Sequence, residues 1–371
     1  MAAEAAAAAG ARVTVRDQRR SFGRTLLLAG RSGLNLTHDE PLETFLGRYS
    51  TGRELVEPAI RAFPPSAVRA WADELGADTF VGSSGRVFPA AMRATALVRA
   101  WLVRLADLGV AFEPATPWSG FDDTSEHTVL ALGGASWPQV GGDGSWVAVF
   151  RAAGFAVDPL VASNAGVEVE WSAPLLDRFE GTPLKNVAVS IDGETVRGEP
   201  TITAAGLEGG PIYALGPRIR AALARARPSL EIDLQPDLPE ADLAHRLAGR
   251  RRSKDSLSTW LRRAGLQPVA VAIMREATDN RLPTSVDTLA ALAKAVPLPV
   301  RGIASIDRAI SSAGGVAAAE IDETGMLRRR PGTWVVGEMS AWDAPTGGYL
   351  IQACLSTGRR AGTAAAALRA D

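Results

Sequence analysis

The chain has 371 residues, 46% of them hydrophobic, so it is long enough to bury a sizeable core and to form more than one domain. Its 40 basic and 41 acidic residues leave a net charge of -1, which excludes a global field that would recruit nucleic acid or an anionic membrane. The single Cys354 excludes an internal disulfide and a cysteine-rich metal site. The three histidines are far apart in sequence, so we expect no metal.

Two features of the sequence argue against export and membrane insertion. The alanine-rich start carries Glu4 and lacks the basic region of a secretory signal. No stretch reaches the roughly 20 uninterrupted apolar residues of a membrane span. We therefore expect a cytoplasmic protein whose partners are small molecules, and the sequence leaves its oligomeric state open.

The N-terminal part of the chain has an α/β pattern. Residues 2–9 predict a helix of small side chains that packs close to a sheet, and the strand "RVTVRD" follows at 12–17. Further predicted elements are helices over 54–76, 90–109 and 145–153 and strands over 110–114 and 127–132. Two glycine-rich stretches, 23–41 and 133–146, are predicted to be loops, the first of them lying against a ligand.

The rest of the chain changes pattern twice. Short alternating segments over 159–232 predict a β-rich region, and residues 233–308 are mostly helical and basic. The α/β pattern then returns with the strand "TWVVGE" at 333–338 and a helix that begins at Gly347 and Gly348. This order predicts one discontinuous α/β domain, formed by 1–158 and 309–371, with an insertion at 159–308.

The two glycines before the last helix carry a chemical argument. Glycines at a helix start let backbone N–H groups approach a ligand closely, and the helix dipole favours negative charge there by about 0.3–1 kcal/mol. An ordinary strand–loop–helix turn explains the same residues equally well.

Seven motifs occur in a fixed order: "AGRSGLNLTH" (29–38), "GRVFP" (85–89), "LALGGASWPQVGGDGSW" (130–146), "PLKNVAVS" (183–190), "GLEGGPIYAL" (206–215), "AGGV" (313–316) and "GEMSAWDAPTGGYL" (337–350). Together they resemble the HI0933-like, BaiN/RdsA-type family of NAD(P)/FAD-dependent oxidoreductases, in particular one flavoprotein branch of it. The resemblance covers nearly the whole chain. It implies a Rossmann-like FAD-binding domain from the two terminal segments, an inserted domain with a β-barrel-like and a helical part, and noncovalent FAD.

The resemblance also implies cofactor-binding positions. Asp17 matches the acidic residue at the adenosine ribose, and Glu338 matches the acidic position near the ribityl chain. Loop residues Asn35 and Thr37 are candidate flavin partners, although both residue types also bond their own backbone. The other predicted positions are Gly23, Arg24, Gly30, Gly33, Gly133, Gly134, Gly337, Gly347, Gly348 and Tyr349.

His38 lies in the same loop and is the candidate proton donor, with a histidine that bonds loop backbone as the alternative. Two departures from the family pattern occur near the expected cofactor-binding positions. A "GRK" motif appears as Gly23-Arg24-Thr25, and Ser340-Ala341 replaces a Leu-Asp pair, which removes one cation and one carboxylate.

In this family a strand and a GxGxxG loop precede a helix like that at 2–9, so we expect roughly 15 residues to be missing before Met1, either through a late start or through truncation. The main hypothesis is an FAD-dependent oxidoreductase that transfers hydride between FAD and NAD(P)H or an unknown small organic substrate. NAD(P)H would dock transiently, because the chain has no second GxGxxG. The alternatives are a cofactor-free remnant of the fold and an RNA-associated role of the basic run at 250–254.

Overall fold

The computed structural model describes residues 1–29, 33–121 and 125–368, so the predicted site residue Gly30 lies outside the described residues. The chain divides into two compact units. Unit 1 consists of Met1–Ala162 and Ile310–Asp371, and unit 2 is Ser163–Ala309.

The helices of the described residues follow in chain order: α1 Ala2–Ala8, α2 Arg24–Ala29, α3 Leu42–Leu46, α4 Arg53–Ala62, α5 Pro65–Glu74, α6 Ala94–Asp107, α7 Trp146–Ala152, α8 Ala173–Phe179, α9 Gly210–Leu223, α10 Glu240–Arg250, α11 Leu257–Arg263, α12 Pro268–Glu276, α13 Val286–Lys294 and α14 Tyr349–Ala367. The strands are β1 Thr14–Asp17, β2 Thr37–His38, β3 Phe80–Val81, β4 Arg86–Phe88, β5 Ala111–Pro114, β6 Thr128–Leu130, β7 Val157–Ser163, β8 Val167–Glu168, β9 Val187–Ile191, β10 Glu194–Gly198, β11 Thr201–Thr203, β12 Gly206–Glu208, β13 Ser229–Asp233, β14 Val296–Pro299, β15 Gly302–Ile303, β16 Ser311–Val316 and β17 Thr333–Val335.

Most of the predicted elements of unit 1 are confirmed, with two corrections. The helix expected over 54–76 is divided into α4 and α5, because the residue before a proline is disfavoured in the α conformation and Pro64 is followed by Pro65. The glycine-rich stretch 23–41 is not wholly loop, since it contains α2 and β2. The apolar side chains of α2 pack into a cluster with α5 and α6, which explains this helix.

Unit 1 contains two pairs of parallel strands, as an α/β fold requires. Strand β1 pairs with β5, with Thr14 opposite Ala111, and β17 pairs with β6, with Thr333 opposite Thr128. Within the described residues the two pairs form separate sheets. A third, antiparallel sheet has the order β2-β4-β3.

The first and last helices of unit 1 are in close contact. A Cβ at Gly362 of α14 would lie 2.2 Å from the carbonyl oxygen of Ala2, so the glycine permits this approach. On another side of α1, the buried Glu4 carboxylate accepts hydrogen bonds from Trp71 Nε1 at 3.1 Å and Trp101 Nε1 at 2.6 Å. These contacts fix α1 against α5, α6 and α14.

Strands β7 and β16 pair where the chain leaves unit 1 and where it returns. The N–H of Ala317 donates to Ala156 O at 3.0 Å, and a Cβ at Gly314 would lie 2.2 Å from Pro159 O. The two strands therefore run in opposite directions, which places the end of β7 beside the start of β16.

Unit 2 contains two four-stranded sheets, with the orders β10-β9-β13-β14 and β11-β12-β8-β15. Its interior is one contiguous apolar cluster formed by these strands and by α8 to α13. The sequence predicts a β-rich part up to residue 232 and a helical part after it, but each part contains both kinds of element. Helices α8 and α9 lie before residue 232, and strands β14 and β15 lie after it, because β14 returns to pair with β13.

The basic run of unit 2 follows α10. The Arg251 guanidinium lies 4.7 Å from the Trp260 ring centroid, and Arg263 pairs with Asp255 at 2.6 Å. A role in RNA binding stays a prediction.

Two features are absent from residues 1–29, 33–121 and 125–368. No helix there is both long and apolar enough to cross a membrane. In the same ranges no group of three or more His, Cys, Asp or Glu side chains is arranged to hold a metal ion.

Candidate functional site

The start of α14 meets strand β2 in unit 1. Gly348 precedes the helix with φ 96°, and a Cβ there would lie 2.6 Å from the Thr37 Cα atom. Thr37 Oγ1 donates to Gln352 Oε1 at 2.7 Å, and both side chains are fully buried. Only glycine fits at 348, because a side chain would overlap the Thr37 backbone.

The start of α14 has the electrostatic character of an uncapped helix N-terminus. Gly348 supplies no side-chain cap, and the helix is 19 residues long. The first four N–H groups of an α-helix have no partner within the helix, and its dipole adds positive partial charge at that end. This end of α14 therefore favours an electron-rich or anionic group.

Tyr349 is fixed by a cluster of charged and aromatic side chains. Its hydroxyl donates to Glu40 Oε1 at 2.7 Å, and Arg48 Nη2 donates to Glu40 Oε2 at 2.9 Å. Burial raises the pKa of Tyr349, and the Glu40 carboxylate raises it further. Burial opposes ionisation of Glu40, but the hydrogen bonds from Arg48 and Tyr349 outweigh it and lower the pKa of Glu40. The Tyr349 hydroxyl thus stays protonated and is committed to Glu40.

His38 is held on both sides of its ring. The ring stacks on Tyr349 with a centroid distance of 5.5 Å, and a Cβ at Gly85 would lie 2.4 Å from His38 Cε1. Nε2 lies 2.9 Å from Ser84 O, and since a carbonyl only accepts, Nε2 carries the proton. Nδ1 is buried and has no partner among the described residues. The geometry agrees with the alternative raised by the sequence, a histidine that bonds loop backbone.

A second cluster surrounds Glu338. Its Oε1 accepts from Ser312 N at 2.7 Å and Ser312 Oγ at 3.2 Å, and the Gly134 backbone also bonds the carboxyl. Burial raises the pKa of Glu338, and these hydrogen bonds oppose the rise. A Cβ at Gly134 would lie 1.7 Å from Ser312 Oγ, so glycine is required for this approach.

Asn35 and Gly33 lie in the loop before β2. Asn35 Oδ1 is buried and has no hydrogen-bond partner among the described residues. Gly33 has φ 129°, and a Cβ there would lie 3.2 Å from Met92 Cε. An orphaned buried acceptor of this kind destabilises the protein unless a donor reaches it.

The remaining predicted positions are less closely grouped. Asp17 Oδ1 accepts from Arg19 N at 2.8 Å at the end of β1. Gly133 O accepts from Trp146 Nε1 at 2.9 Å, and Gly337 N donates to Thr357 Oγ1 of α14 at 3.1 Å.

Gly23 and Arg24 lie at the start of α2. A Cβ at Gly23 would lie 3.0 Å from Val98 of α6, and Arg24 contacts Ser21 at 3.5 Å. In the part of the chain that the structure describes, neither residue forms a hydrogen bond to the clusters around Tyr349 or Glu338.

The residues of unit 1 fit an FAD cofactor. The uncapped start of α14 suits the electron-rich edge of a reduced flavin. Asn35 combines an orphaned carbonyl acceptor with an amide donor, which is the pattern that the N3–H and neighbouring carbonyls of a flavin ring complement.

Sequence reasoning missed four residues of these clusters: Glu40, Arg48, Ser312 and Gln352. Gln352 gave a usable signal, because it is a polar residue on the apolar face of α14, three positions after Tyr349. Glu40 and Arg48 gave none, since charged residues in a surface loop are ordinary.

Comparisons with known proteins identify the family of the chain. The profile described as the HI0933-like protein Rossmann domain matches residues 1–364. The 3-dehydro-bile acid delta(4,6)-reductase of Clostridium scindens is 24% identical over 258 residues, which cover 65% of this chain and 62% of the reductase. The chain therefore matches less than two thirds of that relative.

Two solved structures are similar at low identity. The 3-ketosteroid delta1-dehydrogenase of Sterolibacterium denitrificans is 12% identical with a TM-score of 0.48, covering 99% of this chain and 97% of that chain. A variant of the E. coli quinol fumarate reductase FrdA is 15% identical with a TM-score of 0.46, covering 99% and 68%. Because the profile match spans nearly the whole chain, the protein belongs to the HI0933-like family of Rossmann-domain proteins.

Proposed function

We propose that the protein is an FAD-dependent oxidoreductase that binds FAD noncovalently in unit 1. Family membership supports this function, and the observation that carries it is the buried Asn35 Oδ1, which has no hydrogen-bond partner among the described residues. Gly348 packs against the backbone of Thr37, two residues after Asn35, and so brings the uncapped start of α14 beside this loop. Such an end suits a cofactor that gains negative charge when it is reduced.

The residues of unit 1 have separate roles in this proposal. Bound FAD supplies a donor and acceptor of hydride, while the protein supplies position and electrostatics. Asn35 orients the ring through its free acceptor, and the N–H groups of α14 stabilise the electron-rich edge. Glu40 and Arg48 act indirectly, because they hold the hydroxyl of Tyr349 and thereby the turn that opens α14.

The proposal also covers the substrate and the reductant. We include NAD(P)H as a reductant that docks transiently and a small organic molecule as the substrate. The C. scindens relative is named as a reductase of a 3-dehydro-bile acid, which supports a reductive direction here as well. Reduction of a substrate double bond consumes one hydride and one proton. His38 is not assigned as the proton donor, since Nε2 is committed to Ser84 and Nδ1 is buried.

A titration of the purified chain with FAD tests the proposal. We expect bound flavin, seen as a visible absorption spectrum that stays with the protein after gel filtration. Asn35→Ala should weaken FAD binding about tenfold, because one hydrogen bond to the ring is lost. The control Gln267→Ala removes an exposed amide of unit 2 and should leave the affinity unchanged. A chain that stays colourless with excess FAD would favour the cofactor-free alternative.

The choice of reductant is tested on the flavin-loaded protein without oxygen. NADH or NADPH should bleach the visible flavin band, and the faster of the two identifies the preferred nucleotide. A band that neither nucleotide bleaches, but that dithionite does, would remove NAD(P)H from the proposal and leave the flavin role intact.

A further inference from the structure

The two residues that follow β1 hold a distant loop of unit 1. Gln18 Nε2 donates to Gly141 O at 2.7 Å, and Arg19 Nη2 donates to Pro138 O at 2.7 Å. Both carbonyls belong to the glycine-rich connection between β6 and α7, and we call its residues 137–141 the clamp loop. The clamp loop is therefore fixed at the carboxyl end of β1, the end of a parallel strand at which α/β folds bind ligands.

The guanidinium of Arg19 has a donor to spare. Its Nε is buried and has no hydrogen-bond partner among the residues that the structure describes. Within the same residues Arg19 forms no ion pair, since Nη2 bonds a neutral carbonyl. A buried charged donor that lacks an acceptor is costly, so this N–H indicates an acceptor that the chain itself does not supply.

Two carboxylates lie near Arg19 without bonding its guanidinium. Asp17 Oδ1 accepts from the backbone N–H of Arg19 at 2.8 Å, while its Oδ2 receives no bond from a described residue and can accept from a hydroxyl group. Burial opposes ionisation of Asp143, but hydrogen bonds from Ser145 outweigh it, and the charge of Arg19 further lowers the pKa of Asp143. A free carboxylate oxygen beside a free guanidinium N–H complements a sugar hydroxyl beside a phosphate.

The backbone of the clamp loop is strained where Arg19 holds it. Trp137 has φ 59°, a left-handed conformation that residues other than glycine rarely adopt, and Pro138 follows it directly. Such conformations persist only where surrounding contacts impose them, and they are frequent at ligand clamps. The bond from Arg19 to Pro138 O is one of the contacts that impose it here.

The clamp loop is continuous with the cluster around Glu338. A Cβ at Gly134 would lie 3.0 Å from Glu338 Cδ, and the chain from Gly134 leads directly into the clamp loop. A molecule that begins beside Glu338 and follows this connection therefore reaches Arg19 at its other end. This is the course expected of a dinucleotide whose ribityl chain lies near Glu338.

We propose that Arg19 determines the specificity of this site for a dinucleotide, because its Nε–H donates to a phosphate of the ADP half of FAD. The guanidinium then bonds the clamp loop and the cofactor at once, and a planar fork of donors suits this double role. The inference rests on the proposed flavin function and adds the residue that distinguishes FAD from a flavin without ADP.

The test uses two fluorescent fragments of the cofactor on the full chain without added FAD. Etheno-ADP carries the base, the ribose and the phosphates, and etheno-adenosine lacks only the phosphates. Arg19→Gln should weaken etheno-ADP about tenfold, because a charge-assisted hydrogen bond is lost, and should leave etheno-adenosine unchanged, because Gln18 still holds the loop. Arg19→Met should give the same result. The control Arg20→Gln removes the exposed neighbouring arginine and should change neither affinity.

The intact cofactor provides a second readout. Arg19→Gln should lower the affinity for FAD about tenfold and leave that for riboflavin, which has no ADP half, unchanged. Equal losses for FAD and riboflavin would show a purely structural role and overturn the proposal. Unchanged etheno-ADP affinity in both Arg19 variants would overturn it as well, since solvent would then satisfy Nε. A wild-type chain that binds etheno-ADP through Arg19 but stays colourless with FAD would support the phosphate contact and refute the flavin function.

Discussion

The two units of this protein have different interiors. Unit 2 encloses one contiguous cluster of apolar side chains. Unit 1 has several smaller apolar clusters, and buried polar groups such as Gln352, Ser312 and Glu4 lie among them and bond across distant parts of the chain.

The two kinds of interior have different effects: one stabilises the fold, and the other fixes the positions of particular side chains. Apolar burial stabilises a fold without fixing the orientation of any one group, because it is non-directional. A buried hydrogen bond adds little net stability but is costly to leave unpaired, so it selects one arrangement. Unit 1 places its candidate cofactor residues by the second means. Substitutions in unit 2 should therefore lower stability, whereas substitutions in unit 1 should also weaken cofactor binding.

The largest effect is expected in the core of unit 2. Ile232 of β13 is fully buried, and Ile232→Ala should lower the free energy of unfolding by about 2–5 kcal/mol. Urea unfolding followed by circular dichroism measures the loss, and FAD affinity at low urea should be unchanged. Ile310→Ala, at a 46% exposed position, is the control. Equal losses for the two variants would contradict the core assignment.

A glycine of unit 1 should give the next largest effect. Gly134→Ala inserts a methyl group 1.7 Å from Ser312 Oγ and should cost about 1–3 kcal/mol. It should also weaken FAD binding, which Ile232→Ala does not. In Gly249→Ala the new methyl group meets open space within α10, and stability should rise by up to about 1 kcal/mol. Thermal melts and FAD titrations of both variants check the contrast.

The buried pair of Thr37 and Gln352 should give a smaller loss. Thr37→Val keeps the shape of the side chain but leaves Gln352 Oε1 without its donor, which should cost about 1–2 kcal/mol. The matched control Thr195→Val removes an exposed hydroxyl that bonds Ser190, and water replaces that bond. Chemical unfolding of both proteins gives the comparison, and indistinguishable midpoints would refute the role of the buried pair.

The smallest effect concerns Tyr349 and depends on pH. Tyr349→Phe removes a donor to Glu40 and should cost about 0.5–1 kcal/mol at neutral pH. The pKa of Glu40 in the folded protein lies below its ordinary value of 4.5, so the stabilisation is present above pH 4.5 and is lost as pH falls through the folded pKa.

Thermal unfolding from pH 7 to pH 3 should show the difference between wild type and Tyr349→Phe shrinking as the solution becomes acidic. Tyr213→Phe in unit 2 serves as the control. Burial and the charge of Glu208 raise the pKa of Tyr213, so this hydroxyl, like that of Tyr349, stays protonated from pH 7 to pH 3. A difference that grows toward pH 3 would show that Glu40 is not the partner that matters.

Local patterns in the sequence predicted much of the fold. The alanine-rich helix, the strand before Gly133 and the helix that begins after Gly348 are confirmed, since each is a run of helix- or strand-forming residues with a glycine close to its boundary. The pairing of Glu40 with Tyr349 was not predictable, because it joins residues 309 positions apart and no local pattern records such contacts. The register that sets Arg86 opposite His38 is hidden for the same reason.

The pairing of β7 with β16 has a consequence for how such a protein evolves. The chain departs from unit 1 and re-enters it at neighbouring positions on two adjacent strands, so a short hairpin could span the gap that the whole of unit 2 now occupies. Insertion at such a point adds no long crossing connection to the parent domain. Unit 2 could thus be exchanged or remodelled by recombination without breaking the glycine contacts and buried hydrogen bonds of unit 1.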